Sequence, residues 1–207
     1  MLDFAEIFRR EDGYPKTLLD IGCGPCPEGR QILERGISLT GIDQDGETIR
    51  IVQERLPQGR FITGDAALWL PGHRQRYDAV LLRRPDVIFR SANWHQIFRQ
   101  LPSILNENGM AAVTAPGESE ARLCERWLRE TADTVTRCKT GMAEEEYLIM
   151  AENFRQNDTE ENLQSSLIRR LAWEDDQPHM VCDLRTGRCT MADDQTECRT
   201  SSDDKQQ

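Results

Sequence analysis

Apolar and polar positions follow a repeating plan through the first three quarters of the chain. Residues 16–21 form an apolar run that ends in glycines, as a strand buried on both faces does. Residues 27–36 then read as a helix, with Pro27 suited to a first helical position and Gly36 to a stop. The pair recurs: 38–42 reads as a strand, and 46–56 as a helix with Ile49, Val52 and Leu56 on one face. Strands are expected over 60–63 and 77–82. A helix over 92–105 turns Ile97, Phe98, Leu101, Ile104 and Leu105 inward. Asn108-Gly109 leads into a strand at 110–114, and a further helix spans 119–131. Segments 135–138 and 146–151 read as a closing antiparallel pair.

Repeated strand–helix units imply a mostly parallel sheet with helices on both faces. After Phe154 the pattern changes. A helix over 160–173 is expected, with Leu163, Leu167, Ile168 and Leu171 as its stripe. A hairpin over 180–191 turns at Thr186-Gly187, and 192–207 is too polar to offset the cost of ordering. The expected division is 1–156 as the α/β domain, 157–191 as an extension and 192–207 as a disordered acidic tail.

Charge supports that division. Residues 1–156 hold 20 basic and 24 acidic side chains, whereas 157–207 hold 6 and 12, so the last quarter carries more than half of the net charge of −10. No run approaches the about 20 apolar residues of a membrane span, and the first residues lack the pattern of a secretory signal. Seven cysteines, an odd number, read as reduced thiols in a cytoplasmic protein.

Candidate chemistry lies at three expected strand ends, where open parallel sheets bind ligands. Asp20-Ile21-Gly22-Cys23-Gly24 follows the first strand, and its glycines permit a sharp turn with close backbone approach. Asp43 ends the second strand, where a carboxylate accepts both hydroxyl hydrogens of a ribose. Asp65 and Ala66 end the third, where a carboxylate and an amide match the adenine edge. The spacings, 23 residues from Asp20 to Asp43 and 22 from Asp43 to Asp65, are each one strand–helix unit.

Together these elements resemble the class I S-adenosylmethionine-dependent methyltransferases, over roughly residues 16–152. The resemblance implies a Rossmann-like three-layer α/β sandwich with a mostly parallel seven-stranded sheet and an antiparallel closing strand. It implies S-adenosyl-L-methionine as cofactor. It places Asp20, Gly22, Cys23 and Gly24 in the methionine-side loop, Asp43 at the ribose, and Gln44, Asp65 and Ala66 at the adenine. One departure stands out. The family usually has a third glycine where this chain has Cys26.

Other readings remain beside it. Both aspartates suit helix N-caps. A nicotinamide-binding loop needs a glycine at the position of Pro27. Cys23-Gly24-Pro25-Cys26 looks like a thioredoxin motif, but no aromatic residue precedes Cys23, and Asp43 and Asp65 then have no role.

The acceptor is read from the segment after the fourth strand. The Asn/Asp-Pro-Pro-aromatic motif of many amino-methylating enzymes is absent there. Residues 74–99 instead hold Arg74, Arg76, Arg83, Arg84, Arg90 and Arg99 against Asp78 and Asp86, a local +4 in an acidic chain. Arginines at a strand end suit a carboxylate or phosphate. The expectation is a small anionic acceptor oriented by Arg83 and Arg84, with Asp86 or His95 as base. Nucleic acid is the alternative acceptor, disfavoured by the low isoelectric point, and a non-catalytic cofactor-binding scaffold is the alternative role. No metal is expected, because the separations of His179, Cys182, Cys189 and Cys198 match no compact zinc site.

Overall fold

In a computed structural model, the described residues are 2–156 and the backbones of 180–183 and 188–191. The contacts divide the chain into two units, Met1–Asn157 and Asp158–Gln207. The expected helix over 160–173 and the tail from 192 lie outside the described residues. The hairpin is present as β8 (Met180–Asp183) paired antiparallel with β9 (Arg188–Met191).

In the first unit a short helix, α1 (Phe4–Ile7), precedes β1 (Thr17–Ile21). Then come α2 (Gly29–Glu34), β2 (Ser38–Asp43), α3 (Gly46–Arg55), β3 (Arg60–Thr63) and α4 (Ala66–Trp69). The second half runs β4 (Tyr77–Arg83), α5 (Ser91–Ile104), β5 (Leu105–Ala115), α6 (Glu118–Arg129), β6 (Ala132–Lys139) and β7 (Tyr147–Phe154). The sheet order is β3-β2-β1-β4-β5-β7-β6. Strands β1 to β5 pair in parallel, and β7 runs antiparallel between β5 and β6. This is the expected Rossmann-like sheet with its antiparallel closing strand.

Alternation along the central strands builds two cores. Leu19, Val80 and Leu82 face α5 and α6, where Ile97, Phe98, Leu101, Cys124 and Trp127 meet them. Leu18, Leu81 and Ala112 face the other way, onto Phe4 and Phe8, Ile32 of α2, and Ile49 and Val52 of α3. Each central strand is therefore apolar on both faces, which is why it reads as a continuous run. The chain winds outward through β2 and β3 and then returns to β4 beside β1. That reversal opens a crevice at the carboxyl ends of β1, β2 and β4.

Several boundaries differ from expectation, among them β6 and β7, which are longer, and two differ for a visible reason. α2 begins at Gly29 with Glu28 at its N-cap, not at Pro27, because Cys26 adopts a left-handed backbone and delays the helix. β5 starts at Leu105, so Asn108-Gly109 lies inside it at a register shift near Tyr77 and Ala79.

Candidate functional site

The glycine loop takes its shape from backbone conformations that side chains resist. Gly22 has φ +70° and Gly24 φ +49°. Gly22 is also crowded, since a Cβ there would lie 3.2 Å from the Trp94 indole. Cys26, at the usual third glycine of the resembled pattern, has φ +43°. The loop thus keeps a glycine-like backbone there, at the cost of placing a side chain in a sparsely populated region.

Asp43 ties this loop to the end of β2. Its Oδ2 accepts from the Gly24 amide at 2.9 Å and its Oδ1 from the Asp45 amide at 2.9 Å. The N-cap of α3 is Asp45, so capping does not account for Asp43. Asp65 does cap α4, accepting from the Ala67 amide at 2.9 Å, and its second oxygen is left for other partners.

The crevice between these strand ends holds a cavity of about 120 Å³. Gly22, Asp43, Gln44, Asp65 and Ala66 line one side. Arg90, Asn93 and Trp94, at the start of α5, line the other. Five of the eight residues expected around the cofactor therefore meet at one cavity, and a sixth, Gly24, is bonded to one of them, Asp43.

Asp20 and Cys23 are placed differently. Both lie beneath the loop, Asp20 fully buried and Cys23 packed towards Gly41. Cys26 Sγ donates to Asp20 Oδ2 at 3.6 Å, and oxygens of Asp20 and Glu28 with Cys26 Sγ all lie within 4.8 Å. Asp20 Oδ1 and Glu28 Oε1 are buried without a donor. Burial, and then the neighbouring Glu28, pushes the Asp20 carboxyl well above the usual carboxylate range. Burial likewise raises both thiols, so neither cysteine is a thiolate at neutral pH. Thiols held protonated and buried speak against the redox reading of the Cys23–Cys26 motif.

The two adjacent arginines separate. Arg83 turns inward, with its side chain 14% exposed. It donates to Glu28 at the head of α2, and through Nη2 to Glu145 Oε1 at 2.7 Å. Burial opposes its charge, but Glu28 and Glu145 outweigh that and raise its pKa. A guanidinium held by two carboxylates is a structural cross-link, although Arg83 also lines the open depression beside Arg84. Arg84 points outward, pairs with the exposed Glu144 at 3.0 Å and borders an open depression with Pro116 and Ala143. Its backbone has φ +48° and is pinned by the Arg84 amide donating to the Thr114 carbonyl at 3.1 Å.

The expected bases are not at the cavity. Asp86 is exposed and accepts from the Phe89 amide, shaping the turn before α5. His95 lies on the side of α5 that meets α6, bonded to Glu130 at 2.8 Å and stacked on Trp127. The other arginines disperse. Arg76 bonds the Leu105 carbonyl and Gln156, while Arg90 bonds Gln44. Glu28, Glu145, Asn93 and Trp94 carry much of this arrangement and have no motif signature.

The methyltransferase domain family matches residues 18–109. Trans-aconitate 2-methyltransferase of Rhodopseudomonas palustris is 30% identical over 110 residues, which are 49% of this chain and 39% of that protein. The protein of the same name from Delftia acidovorans is 28% identical over 125 residues, 56% of this chain and 44% of its own. The chain thus spans less than half the length of these curated relatives. N-methyltransferase NodS from Bradyrhizobium japonicum superposes with a TM-score of 0.58, covering 73% of this chain and 93% of that one at 15% identity. At that identity the likeness shows the fold. No helix among the described residues is long and apolar enough to cross a membrane.

Proposed function

We propose that this chain, which carries a class I S-adenosylmethionine-dependent methyltransferase domain, methylates a small anionic molecule. The cofactor supplies an electrophilic methyl group on a sulfonium, which leaves as a neutral thioether when a nucleophile attacks in line. The residues fit such a ligand. Gly22 and Gly24 present backbone without a Cβ at the loop, Asp43 lines the cavity beside it, and Asp65 and Ala66 line it at the end of β3. Gly22, Gly24, Asp43, Gln44, Asp65 and Ala66 would hold it. Asp20 supports the loop from below and leaves direct contact to those six.

The acceptor side rests on Arg84. It follows β4, the strand beside β1, its side chain is 45% exposed, and its carboxylate partner Glu144 is 83% exposed and readily displaced. A carboxylate acceptor binds there by paired hydrogen bonds and needs no general base, because it is already ionised at neutral pH. The protein's task is then alignment and exclusion of water. Asp86 and His95, both away from the cavity, are not required. The curated relatives, named for trans-aconitate, support an organic anion as acceptor.

Incubation with methyl-labelled S-adenosylmethionine and a panel of di- and tricarboxylates, read by mass spectrometry, tests this. Methyl ester formation with a carboxylate is expected. Arg84→Glu should lower kcat/KM for it by about 10- to 100-fold, the worth of a hydrogen bond to a charged group. An Arg84→Glu enzyme with its full rate on the true acceptor would remove the assignment.

A further inference from the structure

The cavity at the strand ends holds about 120 Å³, whereas sites for ligands of nucleoside size and above run to roughly 300–1,000 Å³. The space is limited on the α5 side. Arg90 Nη1 donates to Gln44 Oε1 at 3.0 Å, and Asn93 Nδ2 to Asp65 Oδ1 at 3.4 Å. The Trp94 indole lies over Gly22. Positions 90, 93 and 94 are spaced i, i+3, i+4, so one face of one turn reaches all three nucleotide-binding segments.

We propose that this turn is a clasp over the nucleotide site that gives way as a unit when the cofactor enters. The inference rests on the cofactor reading above. Its geometry is competitive: Arg90 holds the Gln44 side-chain oxygen, Asn93 bonds the Asp65 oxygen that also caps α4, and Trp94 lies above the glycine loop. The segment is built to move. It hangs between Arg84, at a left-handed φ, and the body of α5, which is anchored by Ile97, Phe98 and Leu101. Between them Pro85 and Val87 are buried, Val87 in the core, whereas Ile88 and Phe89 are 48% and 91% exposed, so the stretch just before α5 carries little apolar packing. The N-cap, Arg90, makes no side-chain capping bond, and its guanidinium donates to Gln44 instead.

Stopped-flow binding of S-adenosylhomocysteine to the full chain tests the clasp. The Arg90→Ala/Asn93→Ala double variant removes both clasp bonds, and each exposed bond is worth about fivefold. The association rate should therefore rise roughly tenfold or more, with the apparent Kd falling in step. An association rate that stays the same or drops, in a chain whose unmodified form binds, overturns the clasp and leaves the cofactor site standing. Failure of both proteins to bind overturns the cofactor reading and the clasp with it. Binding by the double variant alone supports both.

Discussion

The Arg83 guanidinium closes onto the Glu28 carboxylate and so locks the end of β4 to the head of α2, the helix that follows the glycine loop. Glu145, from the turn before β7, completes the cross-link. Three segments far apart in sequence meet at one buried cation. Removing it leaves two buried carboxylates unpaired. Arg83→Ala should lose about 3–5 kcal/mol of stability in urea unfolding. Arg84→Ala, at the surface, should change stability by no more than about 0.5 kcal/mol. Equal effects for the two variants would contradict the separation of structural from acceptor-facing arginine.

Asp20 carries a pH signature. Its carboxyl is raised by burial and by Glu28, so the folded chain keeps a proton that the unfolded chain loses above about pH 4. The folded state then binds more protons. Stability is greatest below the ordinary carboxylate value and falls as pH climbs towards the raised one, by about 1.4 kcal/mol per unit across that window. Asp20→Asn removes the titration. Its Tm should exceed that of the unmodified chain at pH 7, with the gap closing towards pH 4. Equal Tm values at pH 7 would show that burial imposes no such cost.

The thiols make an independent check. Cys23 and Cys26 are buried and held protonated, while Cys138 is exposed. Iodoacetamide at pH 8 followed by peptide mapping should modify Cys138 and spare Cys23 and Cys26 until denaturant is added. Native-state labelling of Cys23 would reopen thiol chemistry in the loop.

The sheet was readable from sequence because its central strands are apolar on both faces and each is followed by a helical stripe. The nucleotide cavity was readable for a related reason: strand ends are fixed by the fold, so Asp43 and Asp65 at those ends converge. Short elements escaped, since α1 and α4 have four residues each and too little periodicity to register. The acceptor side was harder. The local excess of arginine does not reveal which way each side chain turns, and Arg83 turns inward because Glu28 and Glu145 arrive from distant segments. His95 shares a helix with Trp94, yet one residue of helical rotation sends it to Glu130 instead of the cavity. The Cys26 departure altered the start of α2 while the loop kept its positive-φ turn.

The cavity beside Gly22 and Asp43 should bind the cofactor. Calorimetric titration of the full chain with S-adenosylmethionine measures that binding directly. One saturable site is expected, weakened by about 10- to 100-fold in Asp43→Ala, which loses charge-assisted bonds to the ribose and the tie to Gly24, and preserved in Cys23→Ser. Absence of saturable binding, or binding that survives Asp43→Ala and fails in Cys23→Ser, would contradict it.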